Sequence, residues 1–206
     1  METSKGYLLV VEDIPDILNL METTLRFKGY RVVTAKNGQE ALAAAQKEHP
    51  LIIITDILMP KMDGFSLVHK LRMDPKTRNI PVVFLSATYV APEDKAFALT
   101  IGATRFLEKP IDLNELLPAI EALLENASPT AAIEPINETD FYEGYRKRLK
   151  IKLDDKAIQI TRTERLLETL SEEEKPSFLE SLRLSINERE QIQLLLDQIQ
   201  EHLKGI

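Results

Sequence analysis

The chain has 206 residues, of which 44% are hydrophobic and 29% charged, and its formal net charge is −7. This length accommodates one full α/β domain and a smaller appendage. The sequence contains no cysteine, which excludes disulfides, zinc–thiolate sites and thiol catalysis. No apolar run reaches the roughly 18 residues that span a bilayer. The acidic balance gives no overall attraction to nucleic acid. We therefore expect a cytoplasmic protein with no membrane segment.

Strands and helices alternate strictly through the first part of the sequence. Apolar runs typical of strands buried on both faces occupy residues 7–11, 31–35, 51–55, 81–85 and 104–107. The segments between them carry apolar residues at helical spacing, and a last helix follows Asp112, a candidate N-cap. This order predicts an α/β fold with a doubly wound, five-stranded parallel sheet over residues 1–125.

The pattern changes beyond residue 125. Residues 126–139 contain Pro129 and Pro135 and lack an apolar period, which predicts a linker. Residues 140–206 contain no strand pattern and predict a smaller all-α region. Its apolar residues recur in three- and four-residue steps, which indicates a partial coiled-coil seam. The seam consists of Tyr142, Leu149, Leu153, Ile160, Leu167 and Leu170, with Arg146, Lys156 and Thr163 at the intervening inward positions.

The end of this region is predicted as two separate helices. The acidic run at residues 172–174, followed by Pro176, interrupts the seam. A short helix is expected around residues 178–182. Asn187, with Glu190 three residues later, resembles a capping box for a final helix.

Polar side chains collect where the predicted strands end. The first strand ends in Glu12 and Asp13, the third in Asp56, and the fourth in Ser86, while Lys109 follows the fifth. The functional site of such a sheet lies beyond the carboxyl ends of its strands. Clustered carboxylates raise one another's pKa, and a hard cation such as Mg²⁺ relieves their repulsion.

A carboxylate in such a cluster is a competent nucleophile toward a phosphoryl group, with which it forms an acyl phosphate. Phosphoryl transfer requires charge neutralisation on three equatorial oxygens. Mg²⁺, Lys109 and the Ser86 hydroxyl with a backbone N–H provide one contact each. The sequence offers no general base for an organic substrate and no glycine-rich phosphate loop, so we do not expect an enzyme of that kind.

These motifs, in this order and spacing, resemble the receiver domain of two-component response regulators from Lys5 to about Glu125. The resemblance rests on Glu12-Asp13, on residues 56–60 with Asp63-Gly64, on residues 85–87, and on residues 106–110. It implies a flavodoxin-like fold and an Asp56 that accepts phosphate from a phosphohistidine. The implied partner is a sensor histidine kinase or a phosphotransfer protein.

The same resemblance assigns roles to the remaining site residues. Asp13, Asp56 and the backbone carbonyl of Leu58 are expected to bind Mg²⁺, with Glu12 acting through water. Lys109 and Ser86 are expected to contact the phosphoryl group. Phe106 corresponds to an aromatic switch residue, and residues 92–106 to the output surface. Leu58 is apolar at a place that can shield the phosphoryl group from water, which predicts slow self-hydrolysis.

The output of the helical tail is left open by the sequence. We expect a helical interaction module, with a homodimer through the C-terminal helices as one form, and phosphorylation altering its arrangement. One alternative is a transcriptional regulator that binds DNA through the basic run at residues 146–152, although Asp154 and Asp155 follow at once. Another is a receiver that acts alone as a phosphate relay. A helical hairpin within one chain would bury the same apolar residues.

Overall fold

The computed structural model describes residues 6–125 and 135–205. Backbone contacts divide the chain into two compact units, and the boundary along the sequence falls between Ile136 and Asn137. The expected linker at residues 126–139 therefore falls mostly outside the described residues. Within those residues, no helix combines the length and apolarity needed to cross a membrane.

The first unit is the predicted α/β fold. Its strands are β1 (Leu8–Val11), β2 (Val32–Ala35), β3 (Ile52–Asp56), β4 (Val82–Ser86) and β5 (Arg105–Glu108). Its helices are α1 (Pro15–Phe27), α2 (Gly38–Lys47), α3 (Gly64–Met73), α4 (Pro92–Thr100) and α5 (Leu113–Glu125). All strand pairs are parallel, in the order β2-β1-β3-β4-β5. From β1 the chain adds β2 on one side of the sheet and β3, β4 and β5 on the other. In sheets of this kind the functional site lies in the crevice between the two strands where the order changes, here β1 and β3.

Alternation along each strand sends side chains to two helical layers. Leu8 and Val10 of β1 join Ile52 and Ile54 of β3 in one buried cluster, and this cluster packs against α1 and α5. On the other face, Phe84 of β4 meets the ring of Phe65 in α3 edge-on, with centroids 5.3 Å apart. Both faces are covered, as the continuous apolar strands predict.

A buried arginine ties α3 to the far end of α4. The Arg72 side chain is 1% exposed, and it donates from Nε and Nη2 to the carbonyl oxygen of Gly102 at 3.0 and 2.7 Å. Burial lowers the pKa of Arg72 to about 10, so the guanidinium stays charged at neutral pH. Gly102 has a φ of +100°, and a Cβ there would lie 2.7 Å from Arg72 Nε. The C-terminal end of α4 is therefore fixed to α3.

The second unit consists of α6 (Glu138–Leu167) and α7 (Lys175–Lys204), which pack against each other. Lys156 Nζ lies 2.5 Å from Glu188 Oε2, and Glu138 Oε1 lies 3.0 Å from His202 Nε2. The start of α6 is therefore next to the end of α7, and the two helices are antiparallel. Leu149 and Ile160 of the predicted seam are buried, and the other seam residues of α6 are half-buried. The seam prediction is therefore only partly correct, because Phe141, Tyr145 and Lys152, which it omitted, are buried as well.

The prediction of two helices after residue 176 is wrong, because α7 is one continuous helix of 30 residues. Asn187 lies inside it and caps no helix. Its helical cost relative to alanine is only a few tenths of a kcal/mol, and the neighbouring Glu, Gln, Leu and Arg residues favour helix. Pro176 sits in the first turn of α7, where proline is tolerated. The helix α6 begins at Glu138, capped by Asn137, slightly before the expected start.

Candidate functional site

The carboxyl ends of β1 and β3 bring three carboxylates together, as the strand order predicts. Glu12, Asp13 and Asp56 each offer one oxygen, and these oxygens lie within 4.8 Å of one another. Glu12 is almost fully buried, and the side chains of Asp13 and Asp56 are partly exposed at the edge of the sheet. This places a pocket of negative charge where solvent and a ligand can reach it.

The ammonium of Lys109 lies inside this cluster. Its Nζ donates to Glu12 Oε2 at 2.7 Å and to Asp56 Oδ2 at 2.5 Å. Lys109 follows β5 and precedes Pro110, to which it is joined by a cis peptide bond. Burial opposes its charge, but the carboxylates of Asp56 and Glu12 outweigh that effect and raise the pKa of Lys109. The ammonium is therefore held charged beside Asp56.

One lysine does not neutralise three acids. Burial raises the pKa of the Glu12 carboxyl despite its contact with Lys109. Burial, and next the charge of Asp56, raise the pKa of the Asp13 carboxyl. Both shifts have the same two causes, the burial of the carboxyl group and the neighbouring charge of Asp56. A second cation in the cluster would relieve this repulsion, so the donor set fits a hard divalent ion such as Mg²⁺.

The loop after β3 orients the Asp56 carboxylate. Asp56 Oδ1 accepts hydrogen bonds from the N–H groups of Ile57 at 2.5 Å and Leu58 at 3.4 Å. Gly64, the first residue of α3, packs against the Asp56 backbone so closely that a Cβ there would lie 2.3 Å from its carbonyl oxygen. Asp63 caps α3 by accepting the N–H of Ser66 at 2.9 Å.

Ser86 ends β4 and is buried. Its Oγ accepts the N–H groups of Thr88 at 3.2 Å and Tyr89 at 3.1 Å. Its hydroxyl is thus engaged with the loop between β4 and α4. Phe106 lies beside Phe84 on the neighbouring strand and is half-buried. The Lys95 Nζ sits 5.7 Å from the centroid of its ring.

Sequence reasoning missed Tyr89 and Arg72. Tyr89 is 0% exposed, and its ring meets Phe65 edge-on at 5.3 Å. Its position three residues after Ser86, in a loop that is otherwise small or polar, is the signal that could have drawn attention to it. A single arginine near a helix end gives no comparable sign of burial.

The basic run in α6 does not form one cationic face. At about 100° per residue, Arg146, Lys147, Lys150 and Lys152 spread around more than half of the helix. Lys147 and Lys150 are exposed, whereas Lys152 is buried. This arrangement gives little support to a groove that follows a nucleic-acid backbone.

A parallel five-stranded α/β unit with an acidic cluster and a lysine at its strand ends defines a signalling domain of the flavodoxin-like class. Residues 8–121 match the response regulator receiver domain family, and the chain belongs to that family. This is a signalling family rather than a catalytic one. The prediction of a receiver domain is thereby confirmed.

Known proteins resemble the chain mainly through this domain. A probable transcriptional regulator, ycf27 of Cyanophora paradoxa, is 36% identical over 148 residues, which are 71% of this chain and 60% of that protein. The chain spans between 51% and 60% of the length of the ycf27 proteins it matches.

Solved structures show the same fold. The chemotaxis protein CheY4 of Vibrio cholerae is 37% identical with a TM-score of 0.55, covering 59% of this chain and 100% of that one. The receiver domain of sensor histidine kinase PA1611 from Pseudomonas aeruginosa is 28% identical with a TM-score of 0.55, covering 60% and 100%. That structure is described with a magnesium ion coordinated in its active site cleft.

Proposed function

We propose that Asp56 accepts a phosphoryl group from a phosphohistidine of a sensor histidine kinase or phosphotransfer protein. The observation that carries this proposal is the Asp56 carboxylate in contact with Lys109, within a carboxylate cluster that a single lysine leaves negative. A carboxylate that only capped the end of a strand would need neither a lysine nor two further carboxylates beside it. The same cluster in a family of signalling receivers supports the role directly.

In the transfer, a carboxylate oxygen of Asp56 bonds to phosphorus while the phosphorus–nitrogen bond to the donor imidazole breaks. The leaving imidazole takes up a proton, and an acyl phosphate remains on Asp56. Lys109, already beside Asp56, neutralises charge on the phosphoryl oxygens. The N–H groups of Ile57 and Leu58 hold the carboxylate in place.

The residues that would hold Mg²⁺ are Asp13, Asp56 and the backbone carbonyl of Leu58, with Glu12 linked through water. When bound, the ion supplies positive charge to the phosphoryl oxygens. The magnesium described for the PA1611 receiver and the raised pKa of Asp13 both support this assignment. Ser86 would then contact the phosphoryl group, and Phe106 and α4 would respond.

The helical hairpin is proposed as the interaction module, joining two chains in a phosphorylation-dependent way. Apolar side chains of both helices remain exposed, among them Ile158 at 50% and Leu194 at 60%. Sedimentation of the full chain with and without a beryllofluoride mimic tests this, and an unchanged monomer would count against it. Salt-sensitive retention of the same protein on DNA would favour the alternative of a DNA-binding regulator.

The phosphoacceptor assignment is tested by labelling with phosphoramidate, a small phosphodonor. We expect the wild type to be labelled in the presence of Mg²⁺ and Asp56→Asn to remain unlabelled. Asp63→Asn is the matched control, because it removes one nearby carboxylate while asparagine still caps α3. Equal labelling of wild type and Asp56→Asn, or loss of labelling in Asp63→Asn alone, would refute the assignment.

A further inference from the structure

The loop between β4 and α4, residues 87–91, is held by the Ser86 hydroxyl. Ser86 Oγ accepts the N–H groups of both Thr88 and Tyr89, and the three residues form one hydrogen-bonded turn. The Tyr89 amide is buried with its side chain. A buried N–H that loses its acceptor destabilises the folded state. The amide of Tyr89 must therefore follow Ser86 Oγ or find another acceptor when that oxygen moves.

Tyr89 belongs to the aromatic core beneath this loop. Its ring meets Phe65 edge-on at 5.3 Å, and Phe65 meets Phe84 and Phe97 in the same manner at 5.3 and 5.2 Å. Phe97 is in α4, so this cluster joins α3, β4, the loop and α4. Displacing the ring of Tyr89 would thus change the packing of α4 around Phe97.

Phe106 is packed less tightly. Its ring centroid lies 6.5 Å from that of Phe84, and the ring is only half-buried. Lys95 covers its face and pairs with Glu108 at 2.5 Å, which closes α4 over β5 from the outside. A cation over an aromatic face is attracted by the ring electrons. These contacts hold the Phe106 ring in its half-buried position.

We propose that Tyr89 is the aromatic side chain that reports phosphorylation of Asp56 to α4, because it is coupled to the Ser86 hydroxyl. This inference rests on the proposed function. When Ser86 turns its hydroxyl to a phosphoryl oxygen on Asp56, the turn at Thr88 and Tyr89 opens. The ring of Tyr89 then leaves the Phe65 cluster, which changes the packing of Phe97 in α4. Arg72 keeps the C-terminal end of α4 attached to α3.

Fluorescence can follow this movement, because the chain contains no tryptophan. The variant Tyr89→Trp carries a single indole at the buried position, and Phe106→Trp is the matched reporter at the half-buried one. Each full-length variant is treated with phosphoramidate and Mg²⁺, and phosphorylation is measured separately by phosphate-affinity electrophoresis. We expect the indole at position 89 to shift to longer wavelength and become more accessible to acrylamide. The same variant carrying Asp56→Asn should show no change.

The outcomes separate the two proposals. A phosphorylated protein whose indole at position 89 keeps its emission, while that at position 106 changes, overturns the role of Tyr89. A protein that is not phosphorylated overturns the proposed function instead. If the indole prevents folding, wild-type protein labelled with 3-fluorotyrosine serves, with Tyr89→Phe identifying one resonance among the five tyrosines. That resonance should move on phosphorylation, and an unmoved resonance contradicts the proposal.

Discussion

The ammonium of Lys109 lies between two carboxylates, and the outer one is the proposed phosphoacceptor. Lys109 and Asp56 are each 13% exposed at their side chains, and Glu12 is 1% exposed. A pair this sheltered differs from a surface ion pair, because removing one partner leaves a buried charge uncompensated. Lys109 therefore stabilises the resting site, and under the proposed function it would also neutralise the phosphoryl group.

Lys109→Met should destabilise the receiver unit at neutral pH by about 3 kcal/mol, because Glu12 and Asp56 lose their cation. Denaturant unfolding in the absence of divalent ions measures this loss. Lys95→Met is the control, since it breaks the more exposed pair with Glu108 and should cost less than about 1 kcal/mol. Equal losses in the two variants would contradict a special role for Lys109.

Leu58 is half-buried in the loop that orients Asp56. We propose that an apolar side chain there would shield an acyl phosphate on Asp56 from water, whereas an amide would help to place a water molecule. We expect Leu58→Asn to lose its phosphoryl group several-fold faster than the wild type, with the half-life followed after removal of the phosphodonor. A variant that loses phosphate at the wild-type rate would show that Leu58 does not shield the site.

At the level of elements, the first turn of α3 sets the backbone of Asp56. A Cβ at Gly64 would lie 2.3 Å from the Asp56 carbonyl oxygen and 3.0 Å from Phe84 Cε1. Gly64→Ala must push β3 and α3 apart, so we expect lower stability by about 2 kcal/mol and weaker labelling of Asp56. Gly29→Ala is the control for labelling, because alanine at its φ of +90° also strains the backbone, but in the turn after α1, where a Cβ meets nothing within 4 Å. Unimpaired labelling in Gly64→Ala would contradict this account.

The position of the site at the ends of β1, β3 and β5 could be predicted, because the carboxyl ends of parallel strands lie at the same edge of a sheet. Glu12, Asp56 and Lys109 each follow an apolar run, and local sequence sufficed to bring them together. The prediction of a helix start at Asn187 is wrong, because asparagine inside a helix lowers its stability only slightly when the helix is packed along its whole length. The partners that bury Tyr89 and Arg72 could not be predicted, because they come from distant elements: the ring of Phe65 for Tyr89 and the backbone carbonyl of Gly102 for Arg72.

At the level of the whole molecule, the receiver unit and the helical hairpin each have their own packed interior. The family match covers residues 8–121, so the hairpin is where this chain differs from a receiver alone. The proposed function therefore assigns phosphoryl acceptance to the first unit and interaction with a second chain to the second unit. A divalent ion should bind the first unit, which contains the carboxylate cluster.

Mg²⁺ should stabilise the protein against unfolding, because it binds the folded cluster and relieves the repulsion there. At a concentration one hundred times the dissociation constant, the gain is about 2.7 kcal/mol. Asp13→Asn should lose most of the gain, and Asp63→Asn should retain it. An Mg²⁺ effect that is the same in all three proteins would place the ion elsewhere.

The central claim is that the acyl phosphate forms on Asp56. Borohydride reduces an aspartyl phosphate to homoserine, which marks the modified residue permanently. Full-length protein is phosphorylated with phosphoramidate and Mg²⁺, reduced, digested and sequenced by mass spectrometry. We predict homoserine at position 56 and intact aspartate at positions 13 and 63. Homoserine at either of those positions, or phosphorylated protein with none at position 56, would contradict the account.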